Sequence, residues 1–256
     1  MSRVPLYDQL SEIYDRFVDW PARLAFELPF LEKLLREAGA RRVLDAACGT
    51  GQHAIALAKA GFDVVGADLS QPMVEAAQWK AKDAGVEVEF VTAGFGELVD
   101  KAAGPFDALL CLGNSIPHVS DLAHLTAALR DFRAVLRPGG LLLLQQRNFD
   151  KVLRRRERFL PPQVNTGGED EWLFFRYYDF LEDGRLRFNM VMVHRAPAGE
   201  TCRMESTLLF PLTSGQLLSA CAGAGFTDLT LYGSMQGEPF DPEHSSDLVL
   251  VGRAGG

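Results

Sequence analysis

The chain has 256 residues, enough for one large domain or one domain carrying a sizeable insertion. With 47% hydrophobic and 23% charged residues the composition is that of an ordinary globular protein. A formal charge of −8 argues against a nucleic-acid partner, which needs a basic surface, but a local pocket can still hold a small anion. In chain order, the first residues, Met1 to Asp8, reach a charge and a proline too soon for a secretory signal. No apolar run approaches the ~20 residues that span a bilayer, so a soluble, cytoplasmic protein with no membrane partner is expected.

Strand-like and helix-like segments then alternate as far as residue 147. Strands are expected at 42–47, 62–68, 86–92, 106–112 and 141–146, with helices at 53–60, 70–84 and 122–136. Ser70 reads as a helix N-cap with Pro72 in the first turn. Leu122, Leu125, Leu129, Phe132 and Leu136 step by three and four, one face of an amphipathic helix that Pro138-Gly139-Gly140 should end. This alternation implies an α/β fold, a parallel sheet with helices on both faces. The polar stretch 151–170 reads as a loop, and 172–180, 185–194 and 201–211 as three antiparallel strands, the first two joined at Asp183-Gly184. A helix at 214–224 and strands at 227–232 and 247–251 follow. The expected organisation is a core over 1–150, a small antiparallel lid over 151–212, and a return to the core over 213–256. The four cysteines, Cys48, Cys111, Cys202 and Cys221, lack CxxC spacing and histidines at zinc-site intervals, so reduced thiols and no metal are expected.

Asp45-Ala-Ala-Cys-Gly-Thr-Gly51 lies where the first strand hands over to a helix. Open parallel sheets bind ligands at the carboxyl ends of their strands, near the point where strand order reverses. Ala47, Gly49 and Gly51 would let a ligand approach the backbone, and Asp68, ending the second strand, could accept hydrogen bonds from both hydroxyls of a ribose. The plain structural alternative is a tight strand-to-helix turn with an acid starting the next helix. Gly49-x-Gly51-x-x-Ala54 also satisfies the relaxed dinucleotide fingerprint. Asp45 counts against that reading, because its charge repels a pyrophosphate and attracts a methionyl ammonium.

Three stretches resemble class I methyltransferases, and the glycine N-methyltransferases in particular: Val43-Leu-Asp-Ala-Ala-Cys-Gly-Thr-Gly51, Cys111-Leu-Gly-Asn-Ser-Ile-Pro-His118, and Arg137-x-Gly-Gly-Leu running on to Arg147-Asn-Phe-Asp150. The resemblance implies a Rossmann-like, seven-stranded sheet with a small antiparallel β lid inserted after strand five. It also implies S-adenosylmethionine as cofactor, S-adenosylhomocysteine as product, a small-molecule methyl acceptor and self-association. Carried over by position, Asp45, Ala47, Gly49, Gly51, Asp68 and Leu69 contact the cofactor, with Leu112 and Ser115 beside its methionyl part. Arg23 grips the methionyl carboxylate. Tyr14 lies near the sulfonium, with Trp20 as a second candidate, and Asn114 and His118 face the donor methyl or the acceptor. Arg147, Asn148, Arg176 and Tyr177 are the candidates for binding the acceptor.

Two departures stand out. The family carries an acid or Asn before an aromatic after strand three, where this chain has Gly94 and Phe95; Phe95 can stack on adenine, but Gly94 offers only its backbone. The Asp-His that precedes the Arg-Asn-Tyr-Asp of the family is Gln145-Gln146 here. Methyl transfer to a neutral amine needs alignment and dehydration more than a strong base. An ammonium would first lose a proton to solvent or to His118. The resulting expectation is N-methylation of a small amine or amino acid. The alternatives are O- or S-methylation of a small metabolite and a non-catalytic cofactor-binding module.

Overall fold

In the computed structural model, which describes residues 13–167 and 170–256, five strands follow the expected alternation: β1 (Arg42–Ala46), β2 (Asp63–Asp68), β3 (Glu89–Thr92), β4 (Phe106–Cys111) and β5 (Leu136–Arg147). They run parallel in the order β3-β2-β1-β4-β5, so the order reverses between β1 and β4. Leu141 to Leu144 are buried throughout, as a strand covered by helices on both sides requires. After β5 the chain builds a separate antiparallel sheet, β6 (Gln163–Gly167), β7 (Asp170–Phe180), β8 (Leu186–Ala196) and β9 (Gly199–Leu209), paired in sequence order. It then returns to the first sheet with β10 (Phe226–Tyr232) and β11 (Asp247–Ala254), β11 lying antiparallel against β5. The fold is the expected one: seven strands in an α/β layer with a small antiparallel sheet following strand five.

The helices are α1 (Tyr14–Phe17), α2 (Trp20–Glu37), α3 (Gln52–Lys59), α4 (Gln71–Asp83), α5 (Leu98–Lys101), α6 (Leu122–Val135), α7 (Phe149–Arg155) and α8 (Ser214–Gly223). Leu31 and Leu35 of α2, Leu57 of α3 and Val74 of α4 pack one face of the sheet against Val43, Leu110 and Leu143. Leu125, Leu129 and Phe132 of α6 with Leu217 of α8 cover the other, against Leu44, Leu109 and Leu144. Ser70 caps α4, accepting from the Met73 N–H, and Thr213 and Gln216 close a capping box on α8. None of the described helices is long and apolar enough to cross a membrane.

Three elements depart from the sequence reading. The stretch taken as a loop holds α7 and β6. Charged residues fill α7, yet it buries Phe149 and Val152 against Tyr178, Leu186 and Leu209, a two-residue apolar face too short to show as a period. The edge strand β6 is mostly polar, QVNTG, and is defined by its pairing to β7 rather than by composition. Lastly, β5 begins at Leu136, where α6 stops, and runs through Pro138-Gly139-Gly140, because Leu136 already pairs with Phe106 across an irregular register.

One buried carboxylate shapes the loop after β3. Asp131 of α6 accepts from the N–H groups of Gly96 (2.7 Å), Leu98 (3.0 Å) and Val99 (3.1 Å). Asp131→Ala strands these donors, so unfolding in urea should show a loss of about 3 kcal/mol. A change below about 0.5 kcal/mol would assign the loop's order to other contacts.

Candidate active site

The nucleotide side is built by the turn after β1. Ala47 (φ 63°), Gly49 (φ 55°) and Gly51 (φ 78°) all take left-handed backbone, so the chain doubles back tightly before α3. A Cβ on Gly51 would lie 2.8 Å from Ala77 and 2.9 Å from Phe90, so packing forbids a side chain there. A Cβ on Gly49 would meet nothing within 4 Å, leaving bare backbone beside open space. Asp68 holds the turn from the neighbouring strand: Oδ2 accepts from the Gly49 N–H at 2.8 Å and Oδ1 from the Ser70 N–H at 2.9 Å. Asp45 is 2% exposed, and its Oδ2 has no hydrogen-bond partner among the described residues. Burial, and then the charge of Asp68, push its pKa up to about 7. A buried carboxylate with an unfilled acceptor suits the ammonium of a methionyl group, and the donor set therefore fits S-adenosylmethionine.

After β3, a Cβ on Gly94 would sit 3.0 Å from Leu69, so the glycine leaves room for the side chain that follows Asp68. The Gly94 N–H is spent on Glu97 Oε2 at 2.9 Å, which removes it as a backbone donor to the base. Phe95 stands edge-on to Phe132, ring centroids 5.1 Å apart, and is thereby held against α6.

The amino-terminal helices close over this edge. Asp15 Oδ1 accepts from Trp20 Nε1 (2.7 Å) and from the hydroxyl of Thr50 (2.8 Å) inside the glycine turn, while Oδ2 pairs with Lys80 of α4. Arg23 Nε donates to Glu27 Oε1 at 3.0 Å, its guanidinium lies 5.1 Å over the Trp20 ring, and its Nη2 comes 3.7 Å from where a Gly113 Cβ would stand. Glu27 Oε2 lies 2.6 Å from His53 Nε2, and burial holds that imidazole below its ordinary pKa. Burial raises the Tyr14 phenol, which also feels the charges of Arg23 and Asp68. Tyr14, Arg23, Asp45 and Asp68 thus share one electrostatic neighbourhood. Sequence reasoning missed Asp15, Glu27 and His53; the only signal was the i,i+4 spacing of Arg23 and Glu27.

A second group of candidate residues lies at the ends of β4 and β5. The Leu112–Ser115 turn is stitched to β5, as the Gly113 N–H donates to Gln145 Oε1 (2.8 Å) and Asn114 Oδ1 accepts from the Arg147 N–H (2.9 Å). The Ser115 hydroxyl turns back to the Leu112 carbonyl at 2.8 Å. Burial takes the pKa of His118 down to about 4. Arg147, ending β5, and Arg176, on β7, approach closely enough for each charge to act on the other, and both carry a buried Nε with no partner among the described residues. Burial, and next Arg147, pull Arg176 down to about 10, while its Nη2 reaches the Pro161 carbonyl at 3.2 Å and its guanidinium lies 4.7 Å over Phe17.

Two expected residues stand elsewhere. Asn148 is buried and structural: Oδ1 caps α7 at the Lys151 N–H, and Nδ2 faces the carbonyls of Asp241, Pro242 and Ser245. Tyr177 alternates with Arg176 along β7 and so faces the outside of the second sheet, against Met204 and Phe159. Tyr178, one residue on, is 2% exposed and lies within reach of both arginine charges. The described residues contain no metal-binding cluster.

Residues 43–140 match the model of a family described as a methyltransferase domain. Over 246 residues the chain is 32% identical to a glycine/sarcosine N-methyltransferase of Parasynechococcus marenigrum, covering 92% of this chain and 80% of that one. Human glycine N-methyltransferase is 36% identical over 149 residues, 53% of this chain and 50% of its own. A methyltransferase structure from Clostridium acetobutylicum superposes with a TM-score of 0.78 at 17% identity, covering 98% of this chain and all (100%) of that one.

Titration of S-adenosylhomocysteine separates the two kinds of residue. Asp68→Ala should weaken binding by about 100-fold, as loss of charged hydrogen bonds costs about 3 kcal/mol. Asn148→Ala should lower the melting temperature by several degrees, as about 2 kcal/mol of buried polar contacts go, with affinity unchanged. Unaltered affinity in the first variant, or weakened affinity in the second, would reverse these roles. Glycine turn, sheet order and relatives agree that the chain belongs to the class I S-adenosylmethionine-dependent methyltransferases.

Proposed function

We propose that this methyltransferase acts on the nitrogen of a small amino acid or a related amine that carries a carboxylate. The observation that carries the reading is the pair Arg147 and Arg176, two neighbouring guanidiniums with buried, unfilled Nε donors in a chain of net charge −8. Like charges brought together at partly buried positions need an anion, and a planar carboxylate matches the guanidinium fork. Relatives named as glycine/sarcosine N-methyltransferases point the same way.

Asp45 would take the methionyl ammonium, Arg23 the methionyl carboxylate and Asp68 the ribose hydroxyls. Leu69, Gly94 and Phe95 would flank the adenine, with Ala47, Gly49, Leu112 and Ser115 along the cofactor's length. When bound, S-adenosylmethionine supplies a methyl group on a positively charged sulfur. The chain's own residues then orient and dehydrate. Tyr14, Phe17 and Trp20 form an aromatic group, centroids 6.1 and 6.3 Å from Tyr14, that would shield the edge from water. Asn114, fixed by the Arg147 N–H, sets the spacing between the β4 turn and the carboxylate site. An oxygen or sulfur acceptor would need a base here, and an imidazole held near 4, as in His118, is a poor one.

Turnover of glycine and sarcosine by the wild type is the direct test. Arg147→Ala and Arg176→Ala should each raise KM for these acceptors by about 100-fold, equivalent to about 3 kcal/mol, and leave S-adenosylhomocysteine affinity intact. Cofactor binding without turnover of any amine would remove the proposal.

A further inference from the structure

Asp247 begins β11 directly across from Arg147, the last residue of β5, as its antiparallel partner. Partners in such a ladder point to the same face, and so does Gln145, two residues before Arg147. A carboxylate and a guanidinium set opposite one another would ordinarily pair. Among the described residues no ion pair joins them, and Arg147 Nε is buried without a hydrogen-bond partner. Gln145 lies near enough to favour the charged form of Asp247, and its Oε1 holds the Gly113 N–H at 2.8 Å. One amide side chain thus stands between Asp247 and the turn after β4.

The charges that act on Asp247 are those of Arg147 from β5 and of Arg23 and Glu27 from α2, and Asp247 acts in turn on Tyr178 of β7. Asp247 is therefore within electrostatic reach of residues assigned above to the cofactor and to the acceptor. Burial raises its pKa above the ordinary carboxylate value, against the lowering effect of Arg147. His118, whose imidazole burial keeps in the uncharged form, offers an ammonium no opposite charge.

The geometry points to Asp247 as the residue that receives the ammonium of a zwitterionic acceptor and takes its proton, a role that rests on the amino-acid reading above. Arg147 and Arg176 bind the carboxylate end, and Asp247 binds the nitrogen end from the neighbouring strand. On β5 the residue of this face nearest Arg147 is the neutral Gln145, so the negative charge comes from β11. The ammonium gives one proton to the Asp247 carboxylate. The freed lone pair forms the N–C bond to the methyl carbon as the C–S bond breaks, and that bond's electron pair stays on sulfur as the neutral thioether. The proton on Asp247 then passes to solvent, and the methylated nitrogen leaves as an ammonium.

The test compares wild type with Asp247→Asn in two measurements. The first is glycine affinity in the presence of S-adenosylhomocysteine, expected to fall at least tenfold while S-adenosylhomocysteine affinity changes less than threefold. The second is the pH profile of kcat/KM for glycine. Wild type should be level from neutral pH to the acceptor's own pKa, with a fall on the acid side. The variant should start about 100-fold lower at pH 7 and climb about tenfold per pH unit as free amine accumulates, so that the deficit closes. Asp247→Glu should restore the level profile. A deficit constant with pH, unchanged glycine affinity, or joint loss of both ligands would place Asp247 in the scaffold and overturn the assignment. A wild type that methylates no amino acid would sink the underlying reading, and this role with it.

Discussion

The contact on which the rest depends is the carboxylate of Asp68 against the backbone N–H of Gly49. It crosses from the end of one parallel strand to the turn after its neighbour, and so fixes a loop that strand pairing alone leaves free. Three left-handed positions in five residues cost conformational energy, and a charged hydrogen bond from the adjacent strand helps hold them. Once the turn is fixed, Thr50 is in place to anchor the amino-terminal helices through Asp15, and these carry Arg23 and Tyr14 to the same edge.

The charge distribution follows a division along the sheet. On the β1–β2 side burial and the nearby charge of Asp68 both disfavour ionised Asp45, a penalty that a cationic ligand between them would relieve. Beyond β4 the sign reverses at Arg147 and Arg176, one from each sheet. A net charge of −8 thus coexists with a pair of neighbouring guanidiniums, which global charge could not reveal.

Much of this was legible in the sequence because the main sheet is buried on both faces, and strands such as Leu141 to Leu144 therefore read as unbroken apolar runs. The glycine turn and Asp68 were legible because left-handed backbone and a strand-ending acid leave local signatures. What escaped depends on partners distant in the chain. β6 is defined by β7, α7 by the residues beneath Phe149, and Asp131 by amides more than thirty residues away. Tyr177 and Tyr178 differ only in which side of a strand they occupy, and an aromatic run such as 172–180 hides that phase. Asn148 follows the end of β5, but its buried amide is claimed by carbonyls from a loop near residue 242 that no local pattern announces.

The grip of Asp15 on Trp20, Thr50 and Lys80 concentrates three ties in one carboxylate. An indole, a hydroxyl and an ammonium from three separate parts of the chain meet there. Losing that one side chain would release all three together, and with them the seam between the amino-terminal helices and a turn some thirty-five residues downstream.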